Sequence, residues 1–351
     1  MDPYAQMLDH LRRYPKRWLI TGVAGFIGSS LLQQLLALNQ KVVGLDNFAT
    51  GFRHNLEDVC AAVGSNWENF TFLEGDITDL AACRTALRGV ELSGEALVVL
   101  HHAAFVSVPA SLEDPLTAHQ VNVEGFMNLL TAAREAGVKR LVYAATSASY
   151  GDDPAEVKRE EVIGKPLSPY ALTKTINELY AELYGRLYGL ETVGLRYFNI
   201  FGRRQDPNGA YAAVIPKWIA SLLNGERCII FGDGETTRDF CHIDNVVQAN
   251  LLAATTQEPA ALGTVYNIGN GGCTTLNVLY TLIRDGLAAL DPAFAQLKER
   301  PAEYGPFRPG DVRHSQADIG KAARLLGYRP SVSVAEGLHK TLAWYVAQTR
   351  G

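Results

Sequence analysis

The sequence predicts an α/β protein: a doubly wound parallel sheet joined to a smaller, loop-rich C-terminal α/β region. Three observations predict it. Over residues 17–196, short β-branched runs alternate with helical patterns, as in parallel strands covered by helices on both faces. A glycine cluster, Gly22-Val23-Ala24-Gly25-Phe26-Ile27-Gly28, follows the first apolar run directly and opens a helix. Beyond Arg196 the alternation breaks down into loops at residues 202–209, 231–234 and 308–311.

In chain order, Arg17-Trp18-Leu19-Ile20-Thr21 reads as the first buried strand. Gly22 allows the tight turn after it, Gly25 the close approach of backbone to a pyrophosphate, and Gly28 the packing of helix on strand. The helix, expected from Ser29 to Leu38, then offers its N-terminus as an anion site, the Rossmann arrangement for a dinucleotide. The second strand, Lys41-Val42-Val43-Gly44-Leu45, ends in Asp46, near the offset at which a carboxylate takes the hydroxyls of an adenosine ribose. A carboxylate there repels a 2′-phosphate, which favours NAD over NADP. Further strands are expected at 69–73, 96–100, 140–144 and 192–195, with Asp76 beyond the third, near the adenine. A dinucleotide-binding domain is therefore expected over 1–196, with a return strand near 240–270, and a mainly substrate-binding domain over 197–351.

Residues 168–174, Ser168-Pro169-Tyr170-Ala171-Leu172-Thr173-Lys174, put a phenol and an ammonium on one helix face, four residues apart. Ser168 suits an N-cap and Pro169 the first helical position. A lysine and a positive helix end beside Tyr170 are expected to favour its phenolate, and so a base usable near neutrality.

Composition removes several alternatives. The chain has 351 residues and a formal net charge of −5, with no basic run for nucleic acid. Its five cysteines, Cys60, Cys83, Cys228, Cys241 and Cys273, are scattered, so neither a metal site nor a disulfide framework is indicated. Residues 1–16 are polar and charged, and no stretch is long and apolar enough to span a bilayer, which makes a cytoplasmic location the simplest expectation.

Together with His101-His102-Ala103-Ala104, Asn122, Thr146, Arg196-Tyr197-Phe198-Asn199, Arg238-Asp239-Phe240 and Arg308-Pro309-Gly310-Asp311, these motifs resemble the extended short-chain dehydrogenase/reductase superfamily from about residue 17 to residue 345. Within it the chain is most similar to the UDP-hexose 4-epimerases. The extension before the first strand and residues 203–216 are similar in particular to bacterial enzymes that interconvert UDP-N-acetylglucosamine and UDP-N-acetylgalactosamine for surface polysaccharides.

The resemblance implies NAD held by Gly22, Gly25, Phe26, Ile27, Gly28, Asp46, Asn47, Asp76, Ile77, Ala103, Ala104, Asn122, Tyr170 and Lys174. It implies that Tyr170 takes the proton of the sugar 4-hydroxyl, that Lys174 holds the nicotinamide ribose, and that Thr146 hydrogen-bonds the same sugar oxygen. Thr146 stands where hexose epimerases usually carry serine. Related dehydratases use threonine there but follow it with an acid pair; Ser147 and Ala148 supply none, which argues against dehydration. For the UDP-sugar, Arg238 and Arg308 match diphosphate-binding arginines, Asp311 the carboxylate on the uridine ribose, and Asn199 an amide near the pyrophosphate.

In the family the chain resembles, sugar choice follows from pocket size, and the resemblance implies the following walls. Ser315 stands where a tyrosine would shut out a 2-acetamido group, and Ala213, before Val214, where many relatives carry asparagine. Ser107 and Gln205 are implied as further walls. Val106 replaces the subgroup's glycine and keeps unacetylated hexoses and uronic acids open. Other readings are a sugar-nucleotide decarboxylase, dehydratase or net dehydrogenase, or a nucleotide-sensing module, which would be expected to lose Tyr170 or Lys174. Helices over about 114–136 and 169–188 are those the superfamily pairs into a homodimer, although their apolar faces equally suit an ordinary core.

Overall fold

The computed structural model describes residues 2–89, 97–209, 212–307 and 312–349. Seven parallel strands form the main sheet: β1 (Arg17–Thr21), β2 (Lys41–Asp46), β3 (Phe70–Glu74), β4 (Leu97–His101), β5 (Arg140–Thr146), β6 (Glu191–Tyr197) and β7 (Thr264–Ile268). Their order is β7-β6-β5-β4-β1-β2-β3. The order reverses between β1 and β4, which opens the crevice at the strands' carboxyl ends where such sheets take nucleotides.

Continuous apolar runs make strands buried on both faces. One apolar cluster joins Leu31, Leu32, Leu35 and Leu36 of helix Phe26–Ala37 to Val246, Ala249 and Ala253 of helix Ile243–Thr255. Met7 and Leu11 of the N-terminal helix Pro3–Arg13 enter the same cluster, so the polar N-terminal extension still has one anchored face. The second cluster holds Cys83, Ala86 and Leu87, then Phe126, Leu129 and Leu130, then Ala181 and Tyr184, on the other set of helices. This is the doubly wound, Rossmann-like α/β architecture. A third cluster, with Phe201, Ile215, Trp218, Leu279, Ile283, Leu338 and Leu342, forms among C-terminal elements.

Several expected boundaries move. The helix after the glycines starts at Phe26 rather than Ser29, because Gly25 is already its N-cap. The 114–136 helix is divided: Pro115–His119 and Gly125–Glu135 flank a π turn over Gln120–Glu124. The carbonyl of Asn122 in that turn accepts the Asn177 side-chain amide at 2.7 Å, a long-range partner that periodicity does not reveal.

Candidate active site

The glycine turn is fixed by contacts that only glycine tolerates. Gly22 has φ +71°, and a Cβ there would lie 2.6 Å from the Ala103 nitrogen beyond β4. A Cβ on Gly28 would lie 2.0 Å from the Gly22 carbonyl oxygen, so helix and turn pack backbone on backbone. Gly25 differs, since its Cβ would meet only the Gly22 oxygen, at 3.3 Å. Protein closes the turn on one side and leaves the other free for a pyrophosphate, a cradle that fits a dinucleotide.

Asp46 ends β2 and is buried. One carboxylate oxygen accepts the Ala24 N–H and the other the Phe48 N–H, both at 2.8 Å, so Asp46 ties the glycine turn to β2. Each oxygen keeps a lone pair for a ribose hydroxyl. Burial raises the Asp46 carboxyl above its ordinary range despite these bonds. Asp76 accepts the Asn47 amide at 2.7 Å and both the N–H and hydroxyl of Thr78 at 2.8 Å, which hold it below the usual carboxylate range against the opposing effect of burial. Ile77 is buried beneath Gly125, while Phe26 and Ile27 pack partly buried against the first cluster. Ala103 and Ala104 lie in the loop after β4.

Asn122 is held by the protein itself. Its side chain bridges the N–H and carbonyl of Phe105, at 2.8 and 3.0 Å, and donates to the Thr173 hydroxyl at 3.0 Å. Asn122 thereby brackets the loop after β4 to the helix bearing Tyr170.

That helix, Pro169–Tyr188, begins as its sequence dictates, with the Ser168 hydroxyl accepting the Ala171 N–H at 3.1 Å and Pro169 in its first turn. The Tyr170 N–H finds the Ser111 hydroxyl at 3.1 Å. Thr146 ends β5, where its hydroxyl accepts the Ala148 N–H at 3.1 Å and bears on the Tyr170 phenol. Lys174 lies one turn further along. Thr146, Tyr170 and Lys174 are all buried at the carboxyl end of the sheet.

The pKa shifts run against the sequence expectation. Burial raises the Tyr170 phenol above its ordinary range, and the Thr146 hydroxyl only partly opposes it. Burial also lowers Lys174 to about 8, against the pull of Glu178. Desolvation penalises both charges and so works against the phenolate that the lysine and helix end are expected to favour.

A cleft of about 560 Å³ is lined by Asn199, Val214 and Arg238 among the expected residues. It reaches Pro109, two residues before Ser111. Asn199 has φ +28° and donates to the Asp239 carbonyl at 3.2 Å. Arg238 pairs in register with Ser315 on the neighbouring strand His314–Ala317, which puts Ser315 beside an arginine of the cleft wall. Three other expected walls stand elsewhere. Ser107 caps helix Val108–Glu113, Ala213 is exposed as the N-cap of helix Val214–Leu223, and the Gln205 amide donates inward to the Ile200 carbonyl at 3.2 Å. Arg308 and Asp311 fall outside the described residues.

The sequence reading missed Lys217, Trp218 and Ser221 on the cleft wall. The signal was present, since Val214, Lys217, Trp218 and Ser221 follow helical spacing and share one face. It also missed Arg227 and Phe231, for which no local pattern gives warning.

The model of the NAD dependent epimerase/dehydratase family matches residues 18–269. A UDP-glucose 4-epimerase of Mycolicibacterium smegmatis is 38% identical over 330 residues, covering 94% of this chain and 98% of that protein. A UDP-glucuronate 4-epimerase of Thermodesulfobacterium geofontis is 34% identical, covering 93% and 95%. Among solved structures, a UDP-N-acetylglucosamine 4-epimerase from Methanobrevibacter ruminantium in complex with UDP-N-acetylmuramic acid superposes with a TM-score of 0.83 at 35% identity, covering 95% and 99%. A glycine cradle beside a buried Thr-Tyr-Lys constellation, and relatives matched over nearly their whole length, lead to one assignment: the chain belongs to the NAD dependent epimerase/dehydratase family.

Proposed function

We propose that the protein is an NAD-dependent UDP-sugar 4-epimerase acting on UDP-N-acetylhexosamines. The observation that carries this reading is the buried set of Thr146, at the carboxyl end of β5, and Tyr170 and Lys174, one turn apart on the facing helix. When bound, NAD supplies a hydride acceptor that is regenerated each cycle, so C4 is inverted without net oxidation. In its phenolate form, which the Lys174 ammonium and the cationic nicotinamide ring would favour once NAD is bound, Tyr170 would take the proton of the 4-hydroxyl as C4 is oxidised and give it back after the 4-keto sugar has turned its other face. Thr146 holds the same oxygen, and Lys174 the ribose and the charge beside Tyr170. Arg238 and Asn199 hold the diphosphate, with the uridine extending along the cleft.

Ser315 supports an N-acetylated sugar, because a small side chain beside Arg238 leaves volume for an acetamido group. A second reading, UDP-hexoses or UDP-hexuronic acids, is favoured by Val106, which stands 67% exposed in the loop after β4. The relatives include enzymes named for both of those substrates. The test is turnover of UDP-N-acetylglucosamine, UDP-glucose and UDP-glucuronic acid by one preparation. The proposal expects the highest kcat/KM on the first, and expects Ser315→Tyr to abolish that activity while sparing UDP-glucose. Equal loss on both sugars, or none, removes Ser315 as the selector.

A further inference from the structure

A buried ion pair stands behind the reacting residues. Tyr170, Lys174 and Glu178 recur at intervals of four and so line one face of helix Pro169–Tyr188. Arg196 on β6 grips both oxygens of Glu178, Nε donating at 2.9 Å and Nη2 at 2.7 Å. Its third arm, Nη1, donates to the Tyr150 hydroxyl at 3.2 Å and to the Glu160 carbonyl at 3.1 Å. Tyr150 closes the turn Ser147–Tyr150, whose N-cap is Thr146. The Arg196 and Glu178 side chains are only 3% and 10% exposed. One guanidinium thus spans from the helix of Tyr170 and Lys174 to the turn of Thr146.

Stability alone is a weak reason for such a pair, since packed apolar side chains often serve as well. Its location is the stronger reason. Glu178 opposes the burial that drives the proton off Lys174. The other titratable groups that bear on Lys174 are His101 and His102 at the end of β4, both driven toward the neutral form by burial. Tyr143 of β5 and Arg196 bear on Glu178 itself.

We propose that Arg196 and Glu178 are positioning residues: Arg196 clamps the turn of Thr146 to the helix of Tyr170 and Lys174, and Glu178, one turn beyond Lys174 on the same helix face, sets the charge beside it. This rests on reading Tyr170 and Lys174 as the reacting pair.

Glu178→Gln keeps the shape and removes the charge. In nucleotide-stripped protein carrying carbon-13 at lysine Cε, the Lys174 resonance, identified by its loss in Lys174→Met, is expected to titrate about one pH unit lower in Glu178→Gln than in wild type. The alkaline limb of the pH–rate profile is expected to move by the same interval, and Glu178→Asp to restore most of both. Tyr150→Phe cuts the clamp and leaves the charges, so kcat should fall about tenfold with the limb in place. An unmoved Lys174 titration in Glu178→Gln overturns the charge role, and wild-type kcat in Tyr150→Phe overturns the clamp. Should Glu178→Gln fail to fold, Tyr150→Phe still decides the clamp. A wild type inactive on every UDP-sugar refutes the epimerase reading, while the Lys174 titration still decides the ion pair.

Discussion

Lys174 shows how a buried charge weakens the fold that holds it. Its ammonium is buried, and its pKa falls to about 8 while an exposed lysine sits near 10.4. Below about 8 the folded chain carries the full cost of the buried charge. As pH rises from there toward 10.4, the folded chain sheds the proton before the unfolded one does, so stability is regained over that window. Lys174→Met in nucleotide-free protein should therefore be more stable than wild type at pH 7, by on the order of 2 kcal/mol, with the gap closing above pH 9. Denaturant midpoints at the two pH values check this, and a less stable variant at pH 7 would refute it. Tyr170→Phe keeps the ring packing and should cut turnover about 100-fold or more with folding and bound NAD retained. The spacing of Tyr170 and Lys174 was legible in the sequence because it is local. Their charge state was not, because it depends on burial against strands and loops far away in the chain.

Elements built from local signals were the legible ones. Strand β1 runs over the residues its apolar run predicts, and helix Pro169–Tyr188 keeps its expected ends because Ser168 caps it and Gly189 stops it at φ +70°. The π turn at Gln120–Glu124 and the bracket made by Asn122 depend on partners some fifty residues on, Thr173 and Asn177, and no period announces them. The glycine turn joins the two kinds of signal: its spacing is visible in the sequence, and its necessity only in the contacts. Gly28→Ala should force the helix off the turn, cost about 1–3 kcal/mol and weaken NAD binding at least tenfold. Calorimetric titration of stripped protein with NAD checks it, and unchanged affinity would place the dinucleotide elsewhere.

At the scale of the whole molecule, Leu172, Leu179 and Leu187 form an exposed stripe on helix Pro169–Tyr188, with exposed Leu112 and Leu116 on the short helices packed beside it. A stripe of this kind fits pairing with a second copy. Sedimentation should give twice the chain mass, and Leu179→Arg should return it to once; a wild type that sediments as a monomer removes the pairing. Among the described residues no helix is long and apolar enough to cross a membrane. The central claim is that hydrogen leaves sugar C4 and returns to it inside one closed site. The most direct measurement is proton NMR of the UDP-sugar reaction in D2O with no added nucleotide. The account predicts the C4 epimer with protium retained at C4 and no NADH released, and deuterium at C4, or an oxidised or dehydrated sugar, would contradict it.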